Sequence, residues 1–147
     1  MVTLRHEIRI DRPREAVFPL AADPENTLKW DPGGVQSIQK VTPGPLARGS
    51  RYKGRWKKFG TIEYEFAEYD PPHRFVHDAR LGFGRMVHTL TFENDDGGTR
   101  FGQVLEVREP RLIWRLLQPI AKPMVRRRMT QIAQELKSYA EGSPGQI

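Results

Sequence analysis

Cysteine is absent from the 147-residue chain, which excludes disulfides, thiolate metal sites and cysteine nucleophiles. No run approaches the roughly 20 apolar residues that cross a bilayer. The opening MVTLRHEIRIDRP alternates charge with hydrophobicity where a secretory signal carries an apolar block, so the expected location is cytoplasmic. No serine sits in a G-x-S-x-G elbow, and Gly82-Phe83-Gly84 is too short for a phosphate-cradling loop. The chain shows no repeat and no low-complexity tract. Acidic residues are missing from two long stretches, between Asp31 and Glu63 and between Arg111 and Arg128.

What is present suffices for a core. The chain is 37% hydrophobic and 10% aromatic, with 24 Lys+Arg against 18 Asp+Glu and a formal net charge of +6. A length of this order fits one domain, expected over residues 1–141, followed by a flexible tail at 142–147. Leu4, His6, Ile8 and Ile10 share one parity of a half-buried strand. Asp11 is placed to cap a short helix that carries Pro13 in its first turn, and a second short helix is expected from Pro24 to about Trp30. From Val35 to Val107 about six strands follow one another, punctuated by turns such as Pro43-Gly44-Pro45 and Asp95-Asp96-Gly97-Gly98. After Pro110 the period changes, and Val125, Met129, Ile132, Leu136 and Tyr139 mark a long amphipathic helix. Leu112, Ile113, Leu116 and Leu117 form an earlier helical piece, with a break or kink expected at Pro119 and Pro123.

Several stretches follow in order along the chain: Ile8-x-Ile10-x-Arg12-Pro13-x-Glu15-x-Val17-Phe18 and Ala22-Asp23-Pro24-Glu25-Asn26 through Trp30-Asp31-Pro32. They continue with Glu68-Tyr69-Asp70-Pro71-Pro72-x-x-Phe75, Leu90-x-Phe92 with Gly98-Thr99-Arg100, and Leu136-Lys137, covering about residues 3 to 141. Together with the order of elements, these stretches resemble the helix-grip domains of the SRPBCC superfamily, which includes START lipid-transfer domains, birch-pollen-type allergens and polyketide cyclase/dehydrase-like proteins. The resemblance implies an α+β helix-grip fold. In it a curved antiparallel sheet of about seven strands wraps a long C-terminal helix, with two short helices after the first strand. It also implies an apolar cavity between sheet and helix.

The sequence offers a lining for such a cavity: Trp56, Tyr64, Phe66, Met86, Leu90, Phe92, Phe101 and Leu105 on the strands, and Met129, Ile132 and Leu136 on the helix. His6, His88 and Gln103 sit on the same parities, where an unpartnered polar group costs about 1–3 kcal/mol. They must satisfy one another or face a ligand. The leading expectation is a carrier that binds a lipid, polyketide or aromatic compound, with His88, Gln103 or Tyr64 selecting its polar end. The alternative is a cyclase/dehydratase-type enzyme with His88 and Tyr64 as the acid/base candidates. A further alternative is a co-chaperone-like interaction module.

No cofactor is implied and no metal is expected. His73-x-x-x-His77 reads as strand, where four residues span about 13 Å, too far to share an ion, and Asp78 points away from His77. Arg51, Lys53, Arg55 and Lys57 form an outward stripe, with Lys40, Arg48 and Lys58 nearby, and Arg111, Arg115, Lys122, Arg126, Arg127 and Arg128 form a second positive patch. Beyond solubility, these patches are read as a weak attraction to an anionic membrane surface. Nucleic acid is disfavoured because exposed aromatics are not interleaved with the stripe. The sequence sets no oligomeric state, and it does not say which face of 35–58 or 75–81 points inward.

Overall fold

A computed structural model describes residues 2–31, 34–57, 60–81, 84–109 and 111–142. The Pro32-Gly33, Lys58-Phe59, Gly82-Phe83 and Pro110 positions, and the tail at 143–147, lie outside the described residues.

The first alternating segment forms β1 (Val2–Ile10), followed by α1 (Arg14–Ala22) and α2 (Pro24–Trp30). Pro13 occupies the N-cap position of α1, and no side chain caps that helix. Asp11 is therefore not its cap. Its backbone N–H donates instead to Glu141 at 2.8 Å. Asp23 serves two helices at once: its backbone N–H closes α1 on Pro19, and its carboxylate accepts from the Glu25 N–H of α2 at 3.0 Å. The Trp30 indole donates to the Leu20 carbonyl at 2.7 Å and ties the two helices together.

Six further strands follow: β2 (Val35–Lys40), β3 (Arg51–Trp56), β4 (Gly60–Asp70), β5 (Arg74–Leu81), β6 (Gly84–Asp95) and β7 (Gly98–Arg108). They join β1 in one seven-stranded antiparallel sheet of order β1-β7-β6-β5-β4-β3-β2. Hairpins explain the run from β2 to β7. Between β6 and β7, Asp96 (φ 48°) and Gly97 (φ 80°) both adopt positive φ between the paired Asp95 and Gly98. That is the two-residue turn whose twist matches right-handed strands. β1 then closes against the last strand, bringing His6 opposite Gln103 and Ile8 opposite Phe101.

The terminal helix α3 (Leu112–Gly142) crosses the apolar face of this curved sheet. It runs unbroken through Pro119 and Pro123, contrary to the expected interruption. Both prolines are exposed, so water can satisfy the carbonyls that lose their helical donors. The lysine of Leu136-Lys137 holds the far end of the helix, donating to the Arg9 carbonyl at 2.8 Å.

Two apolar clusters fill the interior. The larger lies under α1, where Phe18 meets Phe75 and Phe92 edge-on with ring centroids 5.7 and 5.1 Å apart. The smaller joins Leu4, Leu105 and Val107 of the sheet to Trp114, Val125 and Met129 of α3. On the convex side, Arg51, Lys53, Arg55 and Lys57 are exposed, as are Glu63 and Glu65 of β4.

Candidate functional site

Between the two clusters the sheet and α3 do not meet, and a cavity of about 190 Å³ remains. Trp56, Tyr64, Met86, His88, Leu90, Phe101, Leu105, Met129, Ile132 and Leu136 line it. Phe66, Phe92 and Gln103, expected there from parity, are not in its lining. Phe66 and Phe92 are fully buried in the larger apolar cluster and are spent on packing. Gln103 is buried behind His88 and Met129 and reaches the cavity only through them. His6 stands opposite Gln103 on β1, outside the lining, with its Nδ1 buried and without a hydrogen-bond partner.

Trp56 reaches the cavity because of a glycine two residues earlier on the same face. A Cβ at Gly54 would sit 2.5 Å from Cζ3 of the Trp56 indole. The indole thus lies across the bare backbone of Gly54, a close approach that other residues forbid.

The polar heart of the cavity is a pair of histidines. β5 and β6 lie at the centre of the sheet, and their register sets His77 opposite His88. Both rings line the cavity. His77 is the residue that sequence reasoning missed. β5 buries the consecutive Phe75 and Val76, so its alternation hides which parity points inward. The signal that remained was the series Phe75, His77, Ala79 and Leu81. The His77 ring packs against Tyr64 and Phe66, both at 4.6 Å between centroids. Its Nε2 is buried without a hydrogen-bond partner.

His88 is fixed differently. Gln103 donates through Nε2 to the Met129 carbonyl at 2.9 Å, which orients the amide so that its oxygen faces His88 at 2.9 Å. An amide oxygen only accepts, so this network assigns the ring proton of His88 to Nε2 and leaves Nδ1 a bare acceptor. Burial lowers the pKa of His77 to about 3, with His88 adding to the effect. Burial lowers that of His88 to about 4, assisted by Arg128 and opposed by the Gln103 bond. Both imidazoles are therefore neutral at physiological pH. Burial raises the Tyr64 phenol well above its ordinary value, with Tyr52 adding to it, so Tyr64 is a neutral donor and not a base.

A charged pair borders the same cavity. Arg128 of α3 makes a bidentate contact to Asp31 at the end of α2 and also donates to Gln131 at 3.1 Å. Asp31 is 1% exposed. Glu135 lies beside it, and burial together with the Asp31 carboxylate raises the Glu135 pKa against the pull of Arg128. Among the described residues no three His, Asp or Glu side chains gather as a metal would require. His73 belongs to the turn before β5 and is exposed, whereas His77 faces the cavity.

A curved antiparallel sheet gripping one long helix around an apolar cavity defines a helix-grip protein of the SRPBCC type. Residues 1–141 match the family described as polyketide cyclase/dehydrase and lipid transport, and the chain belongs to it. Among solved structures it is similar to TTHA0849 from Thermus thermophilus, with 22% identity and a TM-score of 0.76 over 95% of this chain and 97% of that one. It is also similar to Ara h 8.0201, with 18% identity and a TM-score of 0.68 over 95% and 97%. A third similar structure is the Aha1 dimer from Colwellia psychrerythraea, with 14% identity and a TM-score of 0.74 over 97% and 98%. At these identities the likeness is one of fold. No curated protein matches the chain in sequence.

Proposed function

We propose that the protein binds a small, uncharged, predominantly apolar molecule between its sheet and α3. The His77–His88 pair would receive a hydrogen-bond donor at the ligand's polar end. The observation that carries this reading is two neutral imidazoles on adjacent strands of a largely apolar cavity, bordered by the Arg128–Asp31 pair, one imidazole having an unpartnered nitrogen. A buried imidazole nitrogen without a partner, donor or acceptor according to its tautomer, is a standing penalty that a ligand hydroxyl would relieve.

Size narrows the class. The cavity of about 190 Å³ is closer to the ~150 Å³ that holds a benzene ring than to the roughly 300–1,000 Å³ of drug-sized pockets. A one- or two-ring aromatic or polyketide-derived compound fits within it. Burying about 150–250 Å² of such a molecule at about 25 cal/mol per Å² contributes roughly 4–6 kcal/mol before association entropy. Hydrogen bonds to the histidines then decide which ring is retained. The family description, which includes lipid transport, agrees with a carrier role.

Catalysis is the second reading, with His88 or Tyr64 as acid or base. It is the weaker one, because a general base works best with a pKa near the operating pH and both imidazoles lie far below it. The co-chaperone-like reading requires a filled interior, and the cavity disfavours it. Weak contact with an anionic membrane belongs to the carrier reading and rests on the two basic patches.

Native mass spectrometry of freshly purified protein, followed by titration with 2-naphthol and with naphthalene, tests the carrier reading. Saturable binding that is tighter for the hydroxylated ring supports it. Failure of both rings to bind overturns it, and equal affinity removes the histidines from recognition. Turnover of a bound compound that His88→Ala abolishes would move the assignment to an enzyme.

A further inference from the structure

The first turns of α3 are turned inside out. Leu112, Ile113, Leu116, Leu117, Ile120 and Met124 are 41–74% exposed, while Trp114 of the same segment is 4% exposed and packs against the smaller apolar cluster. Spacings of three and four put the six exposed residues on one side of the helix and Trp114, Ala121 and Val125 on the other. Scattered apolar residues at a surface are ordinary, but a contiguous aliphatic face of this size marks an interaction surface.

Charge identifies what covers it. No acidic residue occurs between Glu109 and Glu135. Arg115, Lys122 and Arg126 line a shallow groove along one flank of the apolar face, together with Gln118, Pro119 and Pro123. Among the described residues, none of these three cations makes a salt bridge, whereas Arg51, Arg74, Arg85, Arg100 and Arg108 on the sheet each pair with a carboxylate. A second copy of the chain docked antiparallel on this face would bring the positive flank against its own image. An aliphatic helical face with a cationic margin fits the boundary between lipid headgroups and acyl chains. No described helix is long and apolar enough to cross a membrane, so the contact is interfacial.

We infer that residues 112–126 of α3 form an interfacial helix that seats the protein on anionic bilayers, inserting Leu112, Leu116 and Ile120 while Arg115, Lys122 and Arg126 hold lipid phosphates. This deepens the membrane contact of the carrier reading by naming the element and adding insertion to charge. The same helix continues into Val125, Arg128, Met129 and Ile132 of the cavity wall, so docking brings the cavity to the lipid surface.

Vesicle flotation tests it, using phosphatidylcholine vesicles with and without phosphatidylglycerol. The wild type is expected to float with anionic vesicles. Leu116→Glu with Ile120→Glu should abolish flotation without changing the melting temperature, since both side chains are solvent-exposed. Arg115→Gln, Lys122→Gln and Arg126→Gln together should lower partitioning by about a hundredfold, at roughly 1 kcal/mol per cation. The absence of native cysteine allows an environment-sensitive dye on Ile120→Cys, whose emission should shift to the blue on vesicles while the same dye on Glu63→Cys does not. Three results would overturn the inference: no flotation, flotation untouched by the two glutamates, or a wild-type dimer that those glutamates dissociate. Titration of each variant with 2-naphthol keeps the cavity reading separate, because that binding should be unchanged.

Discussion

His88 and Gln103 are joined by a 2.9 Å hydrogen bond whose direction is dictated from outside the pair, by the Met129 carbonyl that claims the amide nitrogen of Gln103. A cavity imidazole is thus held in one tautomer by the backbone of the helix that closes the cavity. Sheet, side chain and helix are coupled at that point.

Gln103→Leu keeps the volume and removes both bonds. The Nε2–H of His88 is then left unpaired in the interior at a cost of about 1–3 kcal/mol, while the Met129 carbonyl keeps its bond within α3. Urea unfolding should show a loss of a few kcal/mol with an unchanged m-value. A loss below about 0.5 kcal/mol would mean that water replaces the amide.

The histidines make stability depend on pH. Their folded-state pKa values, about 3 and about 4, lie below the ordinary imidazole value of 6.5, so the unfolded chain binds protons first as pH falls. Stability from these groups is complete above about pH 6.5 and is lost progressively down to pH 3–4. At pH 5, one and a half units below 6.5, each contributes a loss of about 2 kcal/mol relative to pH 8. Urea midpoints at the two pH values check this. His77→Phe should flatten the dependence by about half.

Gly54→Ala asks the Trp56 indole to move, because the added Cβ overlaps the ring. The far end of a half-buried tryptophan can rotate, so a stability loss of about 1 kcal/mol is expected. Affinity for an apolar probe should fall more clearly, and the change should appear in tryptophan fluorescence.

Arg128 and Asp31 form a pair whose partners are unequally buried, with side chains 15% and 2% exposed. Arg128→Met strands the Asp31 carboxylate in the interior and should cost about 3–5 kcal/mol. Adding Asp31→Asn removes the stranded charge and should recover much of that loss. A thermal double-mutant cycle measures the coupling, and simple additivity would show that the pair contributes nothing as a pair.

Strand parity, turn chemistry and helical period were legible in the residues wherever one face of an element is apolar and the other polar. Ile62, Tyr64 and Phe66 alternate with Thr61, Glu63 and Glu65, and in the structure the latter are exposed. The Asp96-Gly97 turn, α2 from Pro24 to Trp30, and the long final helix could be read in the same way. Local sterics and hydrogen bonding set each of these, and neighbours in the chain suffice to satisfy them.

Parity determines a face but not what lies over it. Tyr64 and Phe66 share a face of β4, as do Leu90 and Phe92 on β6, yet one of each pair borders the cavity and the other is fully buried away from it. That division depends on where α1 and α3 cross the sheet. The His77–His88 juxtaposition depends on the β5–β6 register, and the exposure of Leu116 and Ile120 on which side of α3 meets the sheet. The sequence by itself determined the elements and their apolar faces, because backbone geometry and solvent act residue by residue. Only the tertiary structure decided which apolar surface became core, cavity or outer face, because that depends on layers brought together from opposite ends of the chain.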